Sequence, residues 1–282
     1  MPETQAFSAP RSTWTPPSGT LGELVQAAHS RAYALRPREN ALRDAAASAP
    51  VAPSLGDALR RPTVGIIAEV KRRSPSKGSI NPDLDALARA RAYVEAHAAA
   101  VSVLTEPDRF GGSIDDLRIV AAGVGVPVLR KDFIVAPAQL YEARATGAAA
   151  ALLIVRALSV AALRDLVAAA TNVGLELLVE VRDAGELQRA LDAGATIVGV
   201  NNRNLETLVI DPATVERVLP LIPRHVVAIA ESGMASRDDV QRAAHTGADA
   251  VLIGSAVSAA HDAGAMVRSF AGVVVERDAR PN

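Results

Sequence analysis

Hydrophobic and polar positions along the chain follow two periods in turn. Short, nearly continuous apolar runs recur eight times: "GIIAEV" (65–70), "AVSVLT" (100–105), "VPVLRK" (126–131), "AAALLIV" (149–155), "ELLVEV" (176–181), "TIVGVN" (196–201), "VVAIAE" (226–231) and "AVLIG" (250–254). Runs of this kind read as strands covered on both faces, as in a parallel sheet flanked by helices. Each gap between them has room for one helix. Three of the transitions align on one another: "EARATGAAAALLIV" (142–155), "QRALDAGATIVGV" (188–200) and "QRAAHTGADAVLIG" (241–254). In each, a helix ends, a glycine (Gly147, Gly194 or Gly247) takes the left-handed position of a C-cap, and a strand begins. Helix starts are predicted at Asn81 before Pro82, Ser113 with Asp116, Ser159, Asp211 before Pro212, and Ser236 with Asp239.

Eight strands alternating with helices predict an α/β fold, a (β/α)8 TIM barrel with an N-terminal helical extension. A doubly wound sheet is the rival, but "KRRSPSKG" after the first strand contains nothing like the GxGxxG turn of a dinucleotide site. Residues 1–20, rich in Pro, Ser and Thr, read as a disordered N-terminal tail. Residues 21–62 read as the helical extension, interrupted near Pro37 and closing in a Pro-broken linker. Residues 63–272 form the catalytic barrel in this reading, and 273–282 a C-terminal tail.

Composition narrows the chemistry. The 30 basic and 31 acidic residues give a net charge of −1, so no global field favours nucleic acid or an anionic membrane, and an anion site has to be local. With no cysteine, disulfides, thiolate metal sites and cysteine nucleophiles are excluded. The N-terminus lacks the apolar segment of a signal peptide and no apolar run reaches a bilayer's span, so a cytoplasmic setting is expected.

In a barrel, chemistry gathers at the C-terminal ends of the strands, where loops vary without disturbing the core. Ionisable or amide residues end strands otherwise made of Val, Ile and Leu: Glu69 and Lys71, Lys131, Glu180, Asn201 and Glu231. The two-residue period puts Glu69 and Lys71 on one face, pointing into the mouth. So many charges inside apolar strands are costly unless function retains them. The turns "ESGM" (231–234) and "IGSA" (253–256) follow the last two strands, the usual phosphate seat of this fold, and nominate Ser232, Gly233, Gly254 and Ser255. In "EVKRRSPSKG", Ser74 and Gly78 can bring donors to an anion in a loop stiffened by Pro75.

"IIAEVKRRSPSKG", "SVLTEPDRFGGS", "VPVLRKDFIV", "LLVEV", "GVNNRNLETL", "VAIAESGM" and "VLIGSAV", in this order and spacing, resemble the indole-3-glycerol phosphate synthases, barrel lyases of tryptophan biosynthesis. The likeness runs from about residue 21 to 260. It implies closure, decarboxylation and dehydration of 1-(2-carboxyphenylamino)-1-deoxyribulose 5-phosphate to indole-3-glycerol phosphate, without metal or cofactor. By the same resemblance Lys131 is the acid that protonates the ribulose carbonyl and Glu180 its partner carboxylate. Glu69 and Lys71 assist proton removal and loss of the hydroxyl, with the division of labour between the two lysines open. Asn201 and Glu231 position the substrate hydroxyls and those side chains. Phe110 and Phe133 match positions near the substrate's aryl ring, Arg203 faces its carboxylate region, and Ser74, Ser232, Gly233, Gly254 and Ser255 fall on the phosphate site. The implied partner is a small sugar phosphate, with no nucleic acid or membrane, and the oligomeric state is open.

Two other functions fit a phosphate-binding barrel. Isomerases of the related pathway use a cysteine–aspartate or aspartate pair, whereas here cysteine is absent and strand one ends in Glu-x-Lys. A barrel that only binds a sugar phosphate is expected to lose the charged mouth residues, because keeping them buried costs stability.

Overall fold

The computed structural model describes residues 14–282. Eight strands close into a parallel barrel in simple chain order: β1 Gly65–Val70, β2 Ala100–Leu104, β3 Val128–Lys131, β4 Ala150–Ile154, β5 Glu176–Val181, β6 Ile197–Asn201, β7 Val227–Glu231 and β8 Ala250–Ile253. β1 pairs with β8 through Gly65 opposite Ala250 and Ala68 opposite Ile253, which closes the ring. The strands are buried almost throughout because their β-branched side chains meet the barrel interior on one face and the helical ring on the other. The (β/α)8 architecture and all eight strands agree with the sequence reading to within two residues at each end.

Gly147, Gly194 and Gly247 have φ of +99°, +88° and +89°, the left-handed conformation their C-cap position requires. Ser113, Ser159 and Ser236 cap their helices as expected, each hydroxyl accepting a backbone N–H three residues on. Asp239 accepts the Ser236 N–H in return, completing a capping box. Asp211 accepts from the Ala213 N–H at 3.1 Å. The start predicted at Asn81 is wrong. Residues 80 and 81 donate to the Arg72 carbonyl and close the loop after β1, so the helix Ala86–Glu95 begins one turn later with Asp85 as its cap.

The extension consists of α1, Gly19–Leu35, and α2, Glu39–Ala47, joined by a single 3₁₀ turn over Arg36–Arg38 that contains Pro37. The segment read as a plain linker carries a further short helix, Leu55–Leu59. Ser54 caps it, and the Glu176 carboxylate accepts from the Ser54 hydroxyl and the Leu55 and Gly56 N–H groups. Leu55 and Leu59 are fully buried. A cap followed by an i, i+4 leucine pair was the signal, hidden among prolines.

Residues 1–13 of the expected disordered tail lie outside the described residues. From Trp14 onward the chain is docked rather than free: the indole donates to the Arg156 carbonyl at 3.2 Å, and the Ser18 N–H and hydroxyl both donate to Glu206. The segment read as a C-terminal tail is docked too. Thr63 bridges to Val274, and the Arg280 guanidinium, fully buried, pairs with Asp249 at 2.7 Å and donates to the Val226 carbonyl. An Arg next to Pro near a terminus looks solvated in sequence, and only its buried partner reveals otherwise. No helix among the described residues is long and apolar enough to cross a membrane.

Candidate active site

The C-terminal ends of the strands open into a cavity of about 350 Å³, within the usual size of a small-molecule site. All fourteen residues nominated from sequence line it: Glu69, Lys71, Ser74, Phe110, Lys131, Phe133, Glu180, Asn201, Arg203, Glu231, Ser232, Gly233, Gly254 and Ser255. Strand alternation brings the charged ones together. The Lys71 ammonium donates to Glu69 Oε1 at 2.7 Å. Across the mouth, the Lys131 ammonium lies 3.2 Å from Glu231 and 3.5 Å from Glu180. Glu69, Glu180 and Glu231 are all buried, at 4, 2 and 1% exposure.

Burial on this scale makes protonation a shared property. Burial raises the Glu69 carboxyl, but the charges of Lys71 and Lys131 and the hydrogen bond from Lys71 outweigh it and hold Glu69 below the usual carboxylate range. For Lys131, burial acts to release the proton, yet Glu231, Glu180 and Glu69 outweigh it and raise the ammonium above an ordinary lysine. Burial pushes Glu231 up, Lys131 opposes, Glu180 and Glu69 add to the rise, and the balance lies at about 8. Lys131 and Glu231 therefore titrate as a coupled pair, with Glu180 sharing the same ammonium.

Two glycines make the arrangement possible. A Cβ at Gly199 would lie 2.0 Å from Glu231 Oε1, and one at Gly254 would lie 2.3 Å from Glu69 Oε1 and 2.6 Å from the Lys71 ammonium. Each carboxylate occupies the space that a side chain would fill. Gly254 had been nominated for phosphate; the structure gives it this second role. Gly199 was missed, although a glycine inside an apolar strand is itself a signal of close approach.

The other candidates fall into two walls. Phe110 and Phe133 meet with ring centroids 6.1 Å apart and planes tilted by 40°, forming an apolar corner beside Lys131. On the opposite side, Ser232 and Gly233 both have positive φ, +63° and +81°, in the turn after β7. Asn202, also missed, fixes that turn: its amide donates to the Ser232 carbonyl at 3.1 Å, and its oxygen accepts the Val215 N–H at 3.0 Å. The Asn201 oxygen accepts from the Arg203 N–H at 2.8 Å, and the Arg203 guanidinium donates to the Leu208 carbonyl at 3.0 Å. Burial lowers the pKa of that guanidinium.

The cationic stretch after β1 divides its labour. Arg72 turns away from the cavity to pair with Asp116 and to donate to the Gly111 and Leu84 carbonyls, so it anchors the loop. Ser74 and Lys77 remain on the cavity wall, and the Ser74 hydroxyl accepts the Lys77 N–H at 3.2 Å. Leu24 of α1 completes the wall, a contribution from the extension that the sequence did not reveal.

A family model for indole-3-glycerol phosphate synthase matches residues 23–270. The chain belongs to the indole-3-glycerol phosphate synthase family. Relatives of that name include one from Streptomyces griseus, 50% identical over 80% of this chain and 84% of its own, and one from Kineococcus radiotolerans, 54% identical over 71% of this chain and 73% of its own. A third, indole-3-glycerol phosphate synthase 1 of Streptomyces coelicolor, is 51% identical over 78% of this chain and 82% of its own. Solved structures share the fold at much lower identity. Thiamine phosphate pyrophosphorylase from Pyrococcus furiosus superposes with a TM-score of 0.58 at 15% identity, over 77% of this chain and 96% of that one. 3-Hexulose-6-phosphate synthase from Salmonella typhimurium gives 0.56 at 16%, over 73% and 96%. The synthase family thus accounts for the extension as well as the barrel, since the match begins within α1.

Proposed function

We propose that the six polar side chains at the mouth carry out the reaction of the family: closure of 1-(2-carboxyphenylamino)-1-deoxyribulose 5-phosphate to indole-3-glycerol phosphate with loss of carbon dioxide and water. The observation that carries the assignment of roles is the Lys131 ammonium, held at the barrel mouth 3.2 and 3.5 Å from two buried carboxylates.

Ring closure joins the aryl carbon bearing the carboxylate to the ribulose carbonyl carbon, and the carbonyl oxygen gains negative charge as it does so. Lys131 gives its proton to that oxygen, and a donor fixed in a buried site stabilises the developing charge more than water would. The amine left behind lies between Glu180 and Glu231, and a proton taken up from solvent through these carboxyl groups returns it to the ammonium form. Loss of carbon dioxide then restores the aromatic ring, so the substrate is its own electron sink. Dehydration needs an acid at the leaving hydroxyl and a base for the proton on the neighbouring carbon. Lys71 and Glu69, already paired at 2.7 Å, supply the two. Asn201 orients the hydroxyls, Phe110 and Phe133 receive the aryl ring, and Arg203 faces its carboxylate. Ser74, Ser232, Gly233, Gly254 and Ser255 receive the phosphate. The substrate is a small charged metabolite, which fits a cytoplasmic setting.

Lys131→Ala tests this reading. Turnover, followed by the fluorescence of the indole product, is expected to fall by about 10²- to 10⁴-fold with the far-UV circular dichroism unchanged. Undiminished turnover would remove Lys131 from the mechanism.

A further inference from the structure

α1 does more than cover the barrel. Its Arg31 guanidinium reaches two carboxylates that are both buried in the barrel rim: Asp132 Oδ1 at 3.0 Å and Glu106 Oε1 at 3.6 Å. Each carboxylate holds one wall of the aryl corner by its backbone. Asp132 Oδ1 also accepts the Phe133 N–H at 2.8 Å, while its other oxygen takes the Thr105 hydroxyl at 2.6 Å and Arg130 at 3.1 Å. Glu106 accepts the Asp108, Arg109 and Phe110 N–H groups at 3.1, 2.8 and 3.0 Å, which folds the loop 106–112 around it. One planar cation thus joins the two acceptors that fix Phe110 and Phe133, the pair whose centroids are 6.1 Å apart.

We propose that Arg31 is a positioning residue: it sets the relative placement of Phe110 and Phe133 and, through them, the angle at which the substrate's aryl carbon meets the carbonyl beside Lys131. This rests on the reading of the two phenylalanines as the aryl wall. A guanidinium suits the task because its rigid fork addresses two carboxylates at once, which an ammonium does only as a point charge. Without it, two buried carboxylates share one fewer cation and Glu106 loses the guanidinium that links it to Asp132. Asp132 keeps Arg130, so the strand itself stays in place.

The test uses the full chain in two measurements. In the first, the four phenylalanines are replaced by 4-fluorophenylalanine and their fluorine resonances recorded. Arg31→Met is expected to shift or broaden the resonances of residues 110 and 133 and to leave that of the buried Phe270 unmoved. Unchanged resonances at 110 and 133 overturn the proposal, whatever the activity. In the second, kcat and KM are separated. Arg31→Met is expected to lower kcat by about 100-fold, the cost of misplacing reacting groups by an ångström, with a smaller change in KM. Arg31→Lys should recover part of kcat, and free guanidinium ion should restore part of it to Arg31→Ala. Glu23→Gln is the control, because it breaks only the exposed contact between α1 and Arg109 of the same loop. Its kcat should stay at the wild-type value, and an equal loss there would overturn the role of Arg31 in favour of helix docking in general. A wild-type chain that makes no indole product while residues 110 and 133 respond to Arg31→Met leaves the clamp standing and refutes the reaction instead.

Discussion

Gly199→Ala is the smallest change that should disable the site without touching a charged residue. The φ of Gly199 is not in the left-handed region, so alanine is acceptable to the backbone. Its methyl group, however, would sit 2.0 Å from Glu231 Oε1 and 3.0 Å from Leu178 Cδ1. Ordinary contact begins at 3.4 Å, so the Glu231 carboxylate must retreat by the difference, 1.4 Å. It can yield only by swinging into the cavity it lines, away from its present place 3.2 Å from Lys131. A displacement of that size at a reacting group costs about 100-fold in rate, whereas the overpacking itself should cost about 1–3 kcal/mol of stability. Continuous fluorescence of the indole product gives kcat, and thermal melting gives the stability. Shortening the acid provides the decisive control: Glu231→Asp withdraws the carboxylate by about 1.5 Å, one carbon–carbon bond, nearly the room the methyl group needs. In the Glu231→Asp background, Gly199→Ala should therefore have little further effect on kcat, a non-additivity that a general loss of folding would not produce. Wild-type kcat in Gly199→Ala, or full additivity with Glu231→Asp, would refute the idea that this glycine exists to seat that carboxylate.

Glu231→Gln should change how stability depends on pH. Because the folded-state pKa of Glu231 is raised from 4.5 to about 8, the wild type has its full contribution from this group below 4.5 and loses it as pH rises through 8, so the gap in melting temperature between variant and wild type should shift in favour of Gln across that window; a constant gap would contradict it. Arg280→Met strips a fully buried cation from Asp249, which keeps Arg277 at 2.6 Å, and should cost about 3 kcal/mol in urea unfolding, the lower end for breaking a buried pair, while a cost near the ~1 kcal/mol of an exposed ion pair would mean that the C-terminal segment is only loosely docked.

How much of this was legible beforehand depended on whether the signal was local. The strands and most caps are local patterns: an apolar run, a glycine stop, a serine three residues before an acid. Those were read correctly. The polar strand ends were legible for the same reason, since two-residue alternation alone puts Glu69 beside Lys71. Arg31, Asp132 and Glu106 were not, because nothing near Arg31 in an otherwise helical sequence announces two carboxylates that lie 75 and 101 positions further along the chain. Arg280 was missed likewise, its partner Asp249 lying 31 residues away. Asn81 failed for the opposite reason: the local signal was present, but the loop needed those residues to fold back onto Arg72.

The proton count of the reaction bears on why the mouth sets lysines among buried carboxylates. Around the cavity Glu69, Asp132, Glu180 and Glu231 face Lys71, Lys77, Lys131 and Arg203, so the lining is formally neutral when all are charged. In the reaction of the family the substrate enters as a carboxylate and departs as indole product, neutral carbon dioxide and water, so each turnover consumes one proton overall. A lysine alone could lend a proton but not replace it, since its own affinity is raised by the glutamates around it. In the proposed mechanism a carboxyl whose pKa burial has raised, placed beside that lysine, is suited to hand a proton on to it. On that proposal Glu231 and Lys131 act as one acid, which is why Gly199, by setting where an oxygen of Glu231 lies, would belong to the machinery although it carries no chemistry itself.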